Sequence, residues 1–210
     1  MTKLLLSLIL ALSVSALSAA QDVRYQELPV HDGGIIFAGD SITDDCEWNE
    51  LFGNQDILNR GIDGNDSAAL LARSGEFVRH HPSKLFIAIG TNDLPRRPVD
   101  EVVSNVEAII GLFRAQSPET EIYVQSVLPV GPEPMFIPSD SRTKNRLIIE
   151  LNRAYEDMCA RLGLVYIDLH SHFLGSDGEY LDPELASDDL HLKGEAYLLW
   201  KDLISEYVNE

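Results

Sequence analysis

With 210 residues, 45% of them hydrophobic, the chain is long enough for one domain with a substantial core and too short for two of ordinary size. Its 34 acidic and 16 basic residues give a formal net charge of -18, which repels nucleic-acid phosphates and anionic lipid surfaces and favours neutral or cationic small molecules and glycans as partners. Two cysteines, Cys46 and Cys159, are too few to carry a disulfide framework, and neither has a Cys or His neighbour at zinc-ligand spacing.

The first segment reads differently from the rest. Lys3 precedes the run LLLSLILALSVSALSAA, which is short and wrongly flanked for a stable spanning helix but fits a secretory signal peptide. Cleavage after Ala20 would place Ser18 and Ala20 at the two small-residue positions, leaving a single domain over 21–210 that is secreted or periplasmic and has no membrane anchor. The competing reading is a retained anchor, against which the run barely reaches bilayer thickness.

From residue 34 onward, short apolar runs alternate with longer helical periods. GIIFAG (34–39), DILNRG (56–61), KLFIAIG (84–90), EIYVQSV (121–127) and LVYIDL (164–169) read as strands buried on both faces. Helical patterns lie between and after them, at 43–53, 66–80, 98–116, 141–162 and 194–207. This alternation predicts an α/β three-layer αβα sandwich on a five-stranded parallel sheet, with the flavodoxin-like strand order 2-1-3-4-5. In that order Cys46 and Cys159 fall on opposite faces of the sheet, too far apart to bond, so both are expected as free thiols.

In such a sheet the strand C-termini open onto one edge, where ligands bind. The residues that follow the strands are Asp40-Ser41, Ile62-Asp63-Gly64-Asn65, Thr91-Asn92-Asp93, a Pro-rich loop at 128–140 and a long loop at 170–192. Ser41, at a tight strand-to-helix turn entered through Gly39, sits where an acyl-transfer nucleophile is exposed; as the alternative, it caps the next helix. The Ser41 and Gly64 backbone N–H groups and the Asn92 side-chain amide could converge as an oxyanion hole, although a turn glycine and a turn Asn are ordinary on their own. Asp188 and His191, three residues apart, can place a carboxylate beside an imidazole that takes the serine proton; a structural histidine is the plainer alternative. Asp189 reads as solvated or as a cap.

Those blocks carry a resemblance. GDSIT (39–43), NRGIDGND (59–66), GTND (90–93) and DDLH (188–191) stand in the order of the four blocks of the GDSL, or SGNH, hydrolases, and the likeness spans residues 34–200. The run from GDSIT through WNELF to GTND is similar to the platelet-activating-factor acetylhydrolase type and to bacterial esterases like it. The resemblance implies Ser41 as nucleophile, Asp188 and His191 as its partners, and an oxyanion hole of Ser41, Gly64 (rather than Gly61) and Asn92. It also implies short acyl groups, acetyl above all. The chain departs from the pattern at Gly64-Asn65-Asp66, where Gly-Asp-Thr is common, and at Ile42, where the name GDSL has Leu.

Other side chains invite weaker readings. The pair His170 and His172 has a spacing that can bind metal, but neither metal nor cofactor is expected because the chemistry needs none. His80 and His81 read as a solvated helix end, while Trp48, Leu51 and Phe52, like Tyr197, Leu198 and Trp200, read as core. Met135, Phe136 and Ile137 could wall a pocket or form a small satellite core. The resulting expectation is a serine esterase acting on short-chain esters, including those of carbohydrates, with a small ester or acetylated glycan as substrate. The rivals are a lysophospholipase or thioesterase on the same machinery and a catalytically silent glycan-binding protein.

Overall fold

The computed structural model describes residues 25–134 and 140–210. The expected signal segment and the Met135 to Ile137 wall therefore lie outside the described residues. Five parallel strands, β1 (Ile35–Gly39), β2 (Ile57–Gly61), β3 (Lys84–Ala88), β4 (Glu121–Gln125) and β5 (Val165–Ile167), form one sheet in the order β2-β1-β3-β4-β5, as the alternating pattern predicts. The interior strand β1, flanked by β2 and β3, is buried along its whole length, which is why its sequence is uninterrupted by polar residues.

The register places Gly39 beside both Gly61 and Ala88, a row of minimal side chains across the C-terminal edge. That row lets helix α1 (Ser41–Asp44) settle directly on the sheet edge. A Cβ on Gly61 would lie 2.2 Å from the backbone nitrogen of Asp44, and one on Gly39 would lie 2.1 Å from Thr43 Oγ1 and 2.5 Å from the Ala88 carbonyl oxygen. Gly39 is thus required by close approach of neighbouring chain.

Further helices are α2 (Trp48–Phe52), α3 (Ser67–Ala72), α4 (Ser74–Val78), α5 (Val99–Gln116), α6 (Ser141–Leu162) and α7 (Gly194–Asn209). Right-handed crossovers put α3 to α6 on one face of the sheet and α1, α2 and α7 on the other. The α2/α7 face is aromatic: Phe37, Phe86 and Tyr123 stack across neighbouring strands with centroids 4.8 and 4.6 Å apart, Trp48 stacks on Phe37 at 4.4 Å, and Trp200 meets Trp48 edge-on at 5.2 Å. Each such pair contributes about 0.5–1.5 kcal/mol beyond its buried area. On the opposite face α5 buries Val102, Val106, Ile109, Ile110 and Phe113, and α6 buries Ile148, Leu151, Tyr155 and Met158, both at helical spacing.

Four local expectations are corrected. The helix predicted over 43–53 is two short ones, because the Asn59 amide collects the carbonyls of Thr43, Asp44 and Cys46 (2.9, 3.1 and 2.9 Å) and the Trp48 indole N–H also donates to the Thr43 carbonyl (2.9 Å). These oxygens are drawn toward β2 instead of the next turn of helix. The helix predicted over 66–80 is likewise divided at Arg73, whose buried guanidinium donates to the carbonyls of Gly39 and Arg60 at 3.1 and 2.8 Å.

His80 is fully buried, not solvated: its Nδ1 accepts the His31 backbone N–H at 2.9 Å, so its proton sits on Nε2, which lies 2.8 Å from Glu76 Oε1. Burial pushes the Glu76 carboxyl up, but the bonds from His80 and from Arg60 at 3.1 Å outweigh it and hold the group below its usual range. Trp48, Trp200 and Tyr197 are core as expected, whereas Leu198 is exposed.

Cys46, in the link before α2, and Cys159, on α6, are free and buried, and burial pushes their thiols up to about 12 and about 11. Non-reduced mass spectrometry is expected to show no Cys46 to Cys159 link, and both thiols should alkylate slowly at pH 8 until the chain is denatured.

Candidate active site

The turn that ends β1 is built by Asp40. Its backbone is extended (φ -101°, ψ -153°) and its Oδ1 accepts the Ile42 N–H at 3.1 Å, so Asp40 is the N-cap of α1 and Ser41 the first helical residue. The reading of Ser41 as a mere cap is thereby overturned. The cap frees the Ser41 hydroxyl, and it lies 3.0 Å from His191 Nε2, across 150 residues of sequence.

The same imidazole is held from behind. His191 Nδ1 is 2.8 Å from Asp188 Oδ2, while Asp188 Oδ1 accepts the backbone N–H groups of Leu190 (3.1 Å) and His191 (2.7 Å). Burial raises the Asp188 carboxyl, but the His191 side-chain and backbone bonds more than offset it, and the group is held below the usual carboxylate range. An ionised Asp188 fixes the proton on Nδ1 and leaves the Nε2 lone pair facing Ser41. That is the tautomer a general base needs.

Gly64 and Asn92 lie on adjacent loops at this edge. Gly64 takes φ +73°, a left-handed conformation that suits glycine, in a turn closed by the Asn65 N–H on the Ile62 carbonyl at 3.1 Å. The Asn92 amide donates to the Asn65 carbonyl at 2.9 Å, joining the two loops immediately beside Gly64. Further stitches run from buried Asp93, which accepts the Ser67 N–H (2.9 Å) and hydroxyl (2.6 Å), and from Arg97, which bonds both Asp93 (3.0 Å) and Asp66 (3.2 Å). The departure at Gly64-Asn65-Asp66 has its own partners: Asn65 Oδ1 accepts from Arg73 Nε at 2.7 Å, and Asp66 caps α3 through the Ala69 N–H at 2.9 Å.

Asp189 is a tie rather than a solvated group. At φ 63° its carbonyl accepts the Gly131 N–H (2.7 Å) and its Oδ2 accepts the Glu133 N–H (2.9 Å), which docks the 170–192 loop onto the segment after β4. His170 and His172 form a 3-10 turn after β5, and burial holds the His170 ring below its usual value. No three His, Cys, Asp or Glu gather as a metal site among the described residues.

Two groups at the site have environments that the sequence reading did not assign. Asp40 is buried and its carboxyl is pushed up to about 7 by that burial, against the Ile42 bond and the nearby His191. Lys144 on α6 is also buried and its amine is pushed down to about 8 by burial and then by Arg96, while Asp40 and Asp93 pull it the other way. The legible signal for Lys144 was its place on the apolar stripe of Ile148, Leu151 and Tyr155.

A family model described as the GDSL-like Lipase/Acylhydrolase family matches residues 37–199. Platelet-activating factor acetylhydrolase IB subunit alpha2 of Rattus norvegicus is 30% identical over 169 residues, which cover 78% of this chain and 70% of that one. The alpha1 subunit of Homo sapiens is likewise 30% identical, with the same coverage. A solved structure from Streptococcus pneumoniae, named after platelet activating factor, superposes with a TM-score of 0.83 at 27% identity over 95% of this chain and 96% of that one. A GDSL-like lipase from Bacteroides thetaiotaomicron, at 22% identity, TM-score 0.76 and coverage of 91% and 96%, shares the fold.

Because burial raises the Asp40 carboxyl from 3.8 to about 7, its stabilising neutral form is lost as pH rises through that window. Asp40→Asn keeps an acceptor for the Ile42 N–H and cannot ionise. Thermal unfolding should show a stability gain for the variant that is small at pH 4 and grows to several degrees by pH 8.

Proposed function

The chain belongs to the GDSL-like lipase/acylhydrolase family, and from that premise we propose a serine esterase that removes a short acyl group, acetyl above all, from a small ester or an acetylated glycan. The observation that carries this reading is the unbroken chain from Ser41 Oγ through His191 to Asp188, at 3.0 and 2.8 Å. Ser41 attacks the ester carbonyl while His191 Nε2 takes its proton and Asp188 stabilises the imidazolium. His191 then protonates the leaving alcohol. Water, deprotonated by the same imidazole, attacks the acyl-serine, and Ser41 recovers its proton as the acid departs.

During both tetrahedral stages the Ser41 and Gly64 N–H groups and the Asn92 amide hold the negative oxygen. Asn92 has two amide protons and gives one to Asn65, so the other serves the oxyanion. No step calls for a metal or cofactor.

One observation supports a short acyl group: the relatives at 30% identity are named acetylhydrolases. Export to the periplasm or exterior is part of the proposal and rests on the sequence of residues 3–20.

Asn92→Ala is expected to lower kcat on an acetyl ester by about two to three orders of magnitude. Unchanged turnover would remove Asn92 from the oxyanion hole. Across p-nitrophenyl esters the rate should peak at acetyl, and a peak at long chains would favour a lysophospholipase or thioesterase. A fluorophosphonate probe should label the protein and fail to label Ser41→Ala; no labelling of either would favour a silent glycan binder.

A further inference from the structure

The buried stripe of α6 carries a ladder of polar side chains. Tyr155 donates to the Ile89 carbonyl (3.1 Å), Asn152 pairs with Val127 through both N–H (2.7 Å) and C=O (2.9 Å), and Asn145 does the same with Val130 at 2.9 Å each. At the end of the ladder Lys144 Nζ donates to the Leu94 carbonyl at 3.0 Å and to the Thr91 carbonyl. Every one of these partners lies just beyond the C-terminal end of β3 or β4, so the helix grips the loops of the active edge by their backbone.

Lys144 is the member that matters for the chemistry. Its two acceptors flank Asn92, with Thr91 directly before it and Leu94 two residues after. The side chain is 2% exposed, and the charged groups acting on it are Asp40, Asp93 and Arg96. A buried ammonium carries a desolvation cost that an apolar side chain of equal length would avoid, so filling space does not account for a lysine here. Two carbonyls that would otherwise be buried without donors do. The turn is held on its other side by Asp93 and Ser67, and the two grips together leave the Asn92 side chain little freedom.

We propose that Lys144 is a positioning residue for catalysis: by fixing the Thr91 to Leu94 turn it holds the Asn92 amide at the oxyanion. The inference rests on the role given to Asn92 above. The test is a double-mutant cycle on purified full chain, measuring kcat and KM for p-nitrophenyl acetate in the wild type, Lys144→Met, Asn92→Ala and the double variant.

Lys144→Met should lower kcat by about ten- to a hundredfold, the scale of a misplaced catalytic group, with KM changed by less than about threefold. In the Asn92→Ala background the same substitution should cost less than about threefold, because the group it positions is gone. An equal loss in both backgrounds, or no loss of kcat in the single variant, overturns the proposal. Failure of the underlying oxyanion reading shows separately, as unchanged kcat in Asn92→Ala alone. If Lys144→Met does not fold, Lys144→Gln, with a shorter donor, enters the same cycle under the same criteria.

Discussion

The C-terminal edge of the sheet is a place where backbone must touch backbone. Gly39, Gly61 and Ala88 lie side by side there, and α1 rests on them so closely that a methyl group on either glycine would collide with it. Everything functional follows from that approach. It brings Ser41 out of β1 in a turn tight enough for Asp40 to cap the helix, and it brings the loops after β2 and β3 near enough to be joined by Asn92 and Asn65. A sheet with ordinary side chains in this row would hold the same loops farther apart.

The edge is supported by buried polar groups with unequal tasks. Glu76 gathers Arg60, His80 and, at 3.4 Å, Arg79, and the three bases carry this carboxylate's contacts on to neighbouring backbone groups. Such a set specifies how α4 meets β2, since removing any one member would strand the rest. Asp40, Asp93 and Lys144 instead lie beside the Ser41 and Asn92 turns, where burial raises both carboxyls and lowers the amine while their opposite charges draw them the other way.

The sheet was legible in the sequence because five apolar or nearly apolar runs alternating with helical periods admit few topologies, and the observed order is the expected one. Ser41, His191 and Asp188 were legible because they fall in short blocks after strands or close to one another, and the structure joins them. What could not be read has a common physical cause. The break between α1 and α2 depends on Asn59, the burial of His80 on Glu76 and His31, the docking of Asp189 on Gly131 and Glu133, and the grip of Lys144 on Thr91 and Leu94. Apart from the local Glu76 to His80 pair, the partner is contributed from another part of the fold or is a main-chain group, which carries no residue type to recognise. Leu198 shows the converse, since a helical stripe predicts which face is apolar better than it predicts which edge residue water reaches.

The hydrogen bond between Ser41 and His191 spans 150 positions, and Tyr197 on the last helix also donates to the Ile42 carbonyl at 2.8 Å. His191 is synthesised 150 residues after Ser41, so a nascent polypeptide that stops between them carries the hydroxyl without the imidazole that faces it in the folded chain.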